Sequence, residues 1–156
     1  MSTPRPPASP KAWPGATGQF HHPVRIYWED TDAGGIVFYG NYLKFMERAR
    51  TEWLAALGFG QEQMRTSGEG MFVVAETRLK YHQPARLDDR LTVTVQLLER
   101  GRASMLFRQA VWRDETLLTD GEIRIGWVQK WPDGRLKPGR IPAAILAALP
   151  EPTPQD

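Results

Sequence analysis

The sequence predicts an α+β domain in which a curved antiparallel β-sheet wraps around one long central α-helix. Three observations predict it. Residues 42–57 carry apolar side chains at steps of three and four, the signature of a helix with one buried face. Four later segments, 73–81, 91–97, 103–113 and 117–129, alternate at period two, as half-buried strands do. Short turn-rich stretches join these segments, and strands joined by tight turns pair antiparallel. A helix this apolar on one side needs a cover, and the sheet that follows it supplies one.

In chain order, residues 1–19 hold five prolines and almost no large apolar side chains. Residues 1–20 therefore read as a disordered Pro-rich tail. The folded domain is placed at 21–149, with 150–156 fraying. His21 and His22 precede Pro23, and with no further His or Cys at ligand spacing they are not read as a metal site. Residues 24–28 are the first expected strand. Asn41 is the expected N-cap of the long helix and Gly58 its stop. Tyr42, Phe45, Met46, Ala49, Trp53, Ala56 and Leu57 form its apolar face, opposite Lys44, Arg48, Thr51 and Glu52. Residues 61–66 read as a short helix broken by Ser67, Gly68, Glu69 and Gly70. After the four strands, residues 131–134 end the sheet and 141–149 read as a last short helix, started by Pro142.

Composition narrows the function. An apolar share of 41% and six tryptophans fit one globular domain of 156 residues. There is no cysteine, which excludes disulfides, thiolate metal sites and cysteine nucleophiles and is compatible with the cytoplasm. No apolar run approaches the roughly 18 residues of a membrane span. A formal charge of +2 without a basic tract does not point to nucleic acid.

Chemistry concentrates in residues 28–42. The first strand leads into Glu29, Asp30 and Asp32; then come Gly34 and Gly35, and then the long helix. Glycines let the backbone turn tightly or approach a ligand closely. A helix start offers unpaired N–H groups and the positive end of a dipole. A carboxylate there sits where a carbonyl could become an oxyanion. The plainer reading is that Asp32 only folds an Asx-type turn.

The run Tyr27-Trp28-Glu29-Asp30-Thr31-Asp32-Ala33-Gly34-Gly35-Ile36-Val37, with Asn41-Tyr42 and Phe45-Met46-Glu47-Arg48-Ala49-Arg50, resembles the hotdog-fold acyl-CoA thioesterases. It is most similar to the branch of the 4-hydroxybenzoyl-CoA and Tol-Pal-associated thioesterases. Tyr81-His82-Gln83-Pro84-Ala85-Arg86-Leu87-Asp88-Asp89 resembles that branch too. The resemblance implies a sheet wrapped around a central helix, a homodimer or homotetramer, and a substrate site between subunits. It implies hydrolysis of an acyl-CoA to free acid and coenzyme A, with no metal and no cofactor besides the coenzyme A of the substrate. Asp32 matches the family's nucleophile or general base. Tyr39 and Gly40, where the helix begins, match the oxyanion-holding backbone N–H groups. Arg100 and Arg102 fall on the hairpin that meets coenzyme A phosphates in relatives. Gly101 and Ala103 stand where relatives carry further basic residues, and Tyr39 stands where the Tol-Pal-associated members carry histidine.

Neighbouring residues have structural readings. Asp30 is expected to hold a turn, Glu47 to make an ion pair or interface contact, and His82 to be a hydrogen-bonded interface histidine. Arg100 and Arg102 serve equally well as solvated turn residues. Two other functions compete. One is a non-catalytic scaffold binding acyl-CoA or acyl carrier protein. The other is a hotdog dehydratase, which the aspartate at 32 and tyrosine at 39 argue against.

Overall fold

The computed structural model describes residues 19–66 and 70–154. The expected tail up to residue 18 and the break at 67–69 lie outside the described residues. Nine regular elements follow in order: β1 Phe20–Arg25, α1 Asn41–Ala56, α2 Gln61–Thr66, β2 Met71–Tyr81, β3 Arg90–Arg100, β4 Ser104–Arg113, β5 Thr116–Lys130, β6 Leu136–Pro138 and α3 Ala143–Ala148. A 3₁₀ turn, Trp28–Asp30, lies between β1 and α1. The six strands form one antiparallel sheet in the order β1-β3-β4-β5-β2, with β6 paired to the end of β5.

Helix α1 lies against β1, β3 and β4. Tyr42, Phe45, Met46, Ala49 and Trp53 are buried as their spacing predicts. They meet Val93, Val95, Leu97, Phe107 and Val111 from the sheet. At roughly 2 kcal/mol per fully buried large apolar side chain, this face makes a substantial contribution to the stability of the domain. Leu54 and Arg50 are buried as well, whereas Ala56 is exposed. Gly58 ends the helix with φ +101°, a left-handed conformation that glycine adopts without strain.

Several expectations are corrected. The first strand is Phe20–Arg25 rather than 24–28. The signal was hidden because β1 is a sheet edge: Pro23 is tolerated there, and alternate side chains face solvent. Trp28 sits in the 3₁₀ turn and is 77% exposed. Gly40, not Asn41, is the N-cap of α1. Asn41 turns its side-chain amide to the Asp30 carbonyl instead, at 2.8 Å. In β3 both faces are buried, including Thr92, Thr94 and Gln96, and its two edges pair with β1 and β4. Most of β2 is exposed on both faces, since it is the opposite edge. A register shift between Val74 and Glu76 also breaks its expected alternation. Strand β6 carries no periodic signal in three residues and was not foreseen. Residues 150–154, expected to fray, carry an anchor: Thr153 is buried and its N–H donates to the Leu97 carbonyl at 2.8 Å.

Candidate active site

The segment between the 3₁₀ turn and α1 is a tight, backbone-locked loop. Asp32 N–H donates to the Ile36 carbonyl and Gly35 N–H to the Asp32 carbonyl, at 2.8 and 3.1 Å. Thr31 pairs with Val37, and Ile36 with Arg86. Gly35 has φ +79°, which gives the turn its need for glycine. Val37 N–H donates to Ala85, and Leu87 N–H to Gly35, so the segment after β2 holds the loop from the far side.

Two acids two residues apart meet different fates here. Asp30 is buried; its carboxylate accepts from Tyr27 N–H at 2.8 Å, and its carbonyl accepts from Phe38 N–H at 3.1 Å and from Asn41. This is the turn-holding role expected of it. Asp32 is exposed. Its Oδ1 accepts from Gly34 N–H at 2.8 Å and from Ile36 N–H at 3.4 Å, an Asx-type turn. Its Oδ2 has no partner among the described residues and is free to meet a substrate or water.

Tyr39 and Gly40 follow on the same loop, at the start of α1. Neither backbone N–H has an acceptor among the described residues. They are unpaired donors at the positive end of a 16-residue helix. Tyr39 is 66% exposed and its ring packs on Phe38, centroids 4.6 Å apart. Tyr81 donates its hydroxyl to the Tyr39 carbonyl at 3.1 Å.

Beside this helix start lies a cleft of about 310 Å³ lined by Ile36, Val37, Tyr39, Tyr42, Tyr81, His82, Gln83 and Pro84. Its walls are mostly hydrocarbon and ring. Tyr42 sets its ring edge-on to Tyr81, 5.5 Å between centroids, while its hydroxyl accepts from Ala85 N–H at 3.0 Å. Burial pushes the hydroxyls of Tyr42 and Tyr81 above the ordinary tyrosine pKa. Both therefore stay protonated at neutral pH. A larger cleft of about 410 Å³ at the far end of β5 is lined by Trp127, Lys130, Trp131 and Arg140 among others. It offers the cations Lys130 and Arg140 and lies away from the start of α1.

Asp32, Tyr39 and Gly40 thus lie within nine consecutive residues of one loop, and of the three Tyr39 lines the cleft. The fold does not bring Arg100 and Arg102 to them. Tyr81 pairs with Thr119, Thr119 with Val111 and Val111 with Val93. Arg100 lies seven residues further along β3, on the order of 20 Å within one chain. Its guanidinium is held by the Leu146 and Leu149 carbonyls and by Glu151, at 3.3 to 3.4 Å, closing the C-terminal end of α3. The Arg102 side chain is exposed and has no partner among the described residues.

Three contacts were beyond sequence reasoning. His82 Nε2 meets Asp120 Oδ1 at 2.6 Å, and His82 N–H donates to Leu118, fixing the end of β2 to β5. Buried Arg50 donates to Gln109 Oε1 at 2.8 Å, while Gln109 donates to the Met46 carbonyl at 3.1 Å. Burial lowers the Arg50 pKa to about 10, against the opposing charge of Glu47. Glu47 itself is exposed and accepts from Thr51 at 3.0 Å, a structural contact. The third is the bond from Tyr81 to Tyr39. Partners 38 to 59 residues apart leave no local signal. Among the described residues no group of three His, Cys, Asp or Glu side chains is placed to hold a metal ion.

Residues 34–119 match the Thioesterase superfamily. The chain is similar to the acyl-CoA thioesterase YbgC of Haemophilus influenzae, with 39% identity over 130 residues, covering 83% of this chain and 93% of that protein. It is similar to the acyl-CoA thioester hydrolase YbgC of Escherichia coli, with 38% identity over 132 residues, covering 84% and 96%. Among solved structures, a probable thioesterase from Bartonella henselae superposes with a TM-score of 0.73 at 27% identity, covering 80% of this chain and all of that one. The 4-hydroxybenzoyl-CoA thioesterase of Pseudomonas sp. strain CBS-3 shares the fold, with a TM-score of 0.75 at 20% identity over 84% and 99% of the two chains. With its sheet, central helix and these likenesses, the chain belongs to the thioesterase superfamily and has the hotdog fold.

Proposed function

We propose that the protein hydrolyses an acyl-CoA thioester to the free acid and coenzyme A. Asp32 acts as nucleophile or general base, and the backbone N–H groups of Tyr39 and Gly40 hold the oxyanion. The observation that carries the reading is the loop itself. One turn presents an exposed carboxylate with an oxygen uncommitted among the described residues, followed by two N–H groups that have no acceptor among them, at a helix start.

The chemistry balances along either route. As nucleophile, a carboxylate oxygen adds to the thioester carbon, the carbonyl oxygen takes the negative charge, and the thiolate of coenzyme A leaves. Water then cleaves the mixed anhydride and restores the carboxylate. As general base, Asp32 takes a proton from the water that adds to the carbonyl; the tetrahedral intermediate then collapses with cleavage of the C–S bond, and the proton passes to the departing thiolate of coenzyme A. Both routes place negative charge on the same oxygen. Preorganised donors are worth about 100- to 1000-fold in rate each in comparable enzymes.

Thiol release from a panel of acyl-CoA thioesters, followed with a thiol-trapping dye, tests the reading. Full turnover by Asp32→Asn would overturn the role of Asp32. The Asx-type bonds to Gly34 and Ile36 favour a second reading, in which Asp32 is structural and the protein binds acyl-CoA or acyl carrier protein without turnover. Tight binding with no thiol release on any acyl chain would establish it.

The reading includes a homodimer or homotetramer in the cytoplasm. Strand β2 supports assembly: it is an 11-residue edge with Val73 and Val74 exposed. Such an edge invites pairing with a second chain. The unpartnered Arg102 guanidinium supports contact with coenzyme A phosphates more strongly than Arg100, which is already engaged.

A further inference from the structure

The peptide that joins Tyr39 to Gly40 is held from outside the helix. Its carbonyl oxygen, on Tyr39, accepts the Tyr81 hydroxyl at 3.1 Å. A trans peptide is planar, so the carbonyl of one residue and the N–H of the next point in opposite directions. Fixing the Tyr39 oxygen therefore fixes the direction of Gly40 N–H, which has no acceptor among the described residues. Without that bond the peptide is restrained on only one side. Gly40 sits in helical conformation at the N-cap, with φ −69° and no side-chain cap; the neighbouring bonds, Asn41 N–H to the Phe38 carbonyl and Leu43 N–H to the Gly40 carbonyl, do not involve the 39–40 peptide itself.

Tyr81 is itself well located for this task. It is the last residue of β2, and its ring stacks edge-on against both Tyr42 and Tyr39, at 5.5 and 6.4 Å between centroids. The next residue, His82, is bonded to Asp120 and, through its N–H, to Leu118. The ring is thus carried by a strand end tied down on β5. Burial keeps the hydroxyl protonated well into the alkaline range, so it remains a donor. A Cβ at Gly40 would lie 3.0 Å from Phe38 Cε1, so any larger residue there would press on that ring.

We infer that the Tyr81 hydroxyl is a positioning group of the oxyanion site, holding the 39–40 peptide so that Gly40 N–H is aimed before the substrate arrives. The inference rests on the oxyanion role proposed above for this helix start. It adds a residue 41 positions away in the chain, and it divides the labour: Gly40 N–H touches the reacting oxygen, and Tyr81 acts only through it.

Tyr81→Phe removes one hydroxyl and keeps the ring, and so is the deciding variant. Steady-state kinetics on the best acyl-CoA of the panel should show kcat lowered about 10-fold with KM within about twofold, because an aimed donor matters in the transition state. The second readout is the infrared carbonyl stretch of a bound acyl-CoA analogue with a methylene in place of the thioester sulfur. In the wild-type protein the stretch should fall below its value in free solution. In Tyr81→Phe it should move back toward that value. An unshifted stretch in the wild type would remove the oxyanion reading itself. A stretch shifted in the wild type and equally shifted in Tyr81→Phe, or a kcat unchanged by the substitution, would overturn the positioning role alone. Should Tyr81→Phe fold poorly, Asp120→Asn, which loosens the strand end without touching the ring, carries the same pair of measurements, and an unchanged stretch and kcat there would also count against it.

Discussion

The 3₁₀ turn at Trp28–Asp30 and the loop at residues 32–36 are adjacent, each built on one aspartate that accepts backbone N–H groups, and they do opposite things. Asp30 is buried; its carboxylate accepts from Tyr27 N–H, and its backbone carbonyl accepts from residues 38 and 41. Asp32 is exposed and commits one oxygen, to its own turn. A buried carboxylate that holds a backbone N–H is costly to remove and shielded from a substrate. An exposed one, held on one side by short local bonds, keeps its direction and still offers an oxygen. The difference teaches that burial, more than the number of bonds a carboxylate accepts, separates the two: Asp30 is enclosed in the scaffold, and Asp32 stays open to solvent.

The comparison breaks most sharply at Asp32→Asn. Asparagine keeps an acceptor for Gly34 and Ile36, so the melting temperature should stay within about a degree. Acyl-CoA turnover should fall about 100- to 10,000-fold, the range of a lost acid–base or nucleophilic group. Asp30→Ala should show the reverse pattern. It strands Tyr27 N–H, with an expected loss of about 1–3 kcal/mol in chemical denaturation. Any loss of turnover should then track the loss of folded protein. Equal stability losses at both positions would erase the distinction.

Gly34→Ala sharpens the comparison from inside the loop. An added Cβ would lie 3.3 Å from Asp32 Oδ1, so the carboxylate must yield by a few tenths of an ångström. A displacement of that size should lower kcat several-fold, since about 1 Å costs on the order of 100-fold, with little change in melting temperature. The smallest effect concerns Tyr42, which anchors Ala85 and so the far side of the loop. Burial raises its hydroxyl pKa above 10.0. The unfolded chain then releases this proton first, so the contribution of Tyr42 is complete below about pH 10 and is lost as pH rises through the raised value. Arg50, lowered to about 10 by burial, works with the opposite sign, because its charged form is disfavoured in the folded state. Denaturant midpoints between pH 9 and 11 should fall less steeply in Tyr42→Phe than in the wild type.

Much of this was legible beforehand. The face of α1 could be read because a helix writes its burial at steps of three and four within one segment. Strands β3, β4 and β5 could be read because their alternation is local too. The loop was legible from Asp32, Gly34 and Gly35, which turn chemistry requires in that order. Edge strands were harder. His21, His22 and Pro23 carry little apolar signal, yet they pair with Thr94, Val93 and Thr92. Asn41 has the right chemistry for an N-cap, but a carbonyl eleven residues back competes for its amide and wins.

What the sequence determined by itself is therefore the set of segments, their periods and the residue types brought to the turn before α1, all properties of stretches shorter than about twenty residues. Only the tertiary structure decided which of two neighbouring aspartates is buried, that Arg50 finds Gln109, and that Tyr81 reaches the Tyr39 carbonyl. The physical reason is that a hydrogen bond depends on which group arrives at 3 Å once the sheet has closed around the helix, and residues 38 to 63 positions apart share no local pattern that records the meeting.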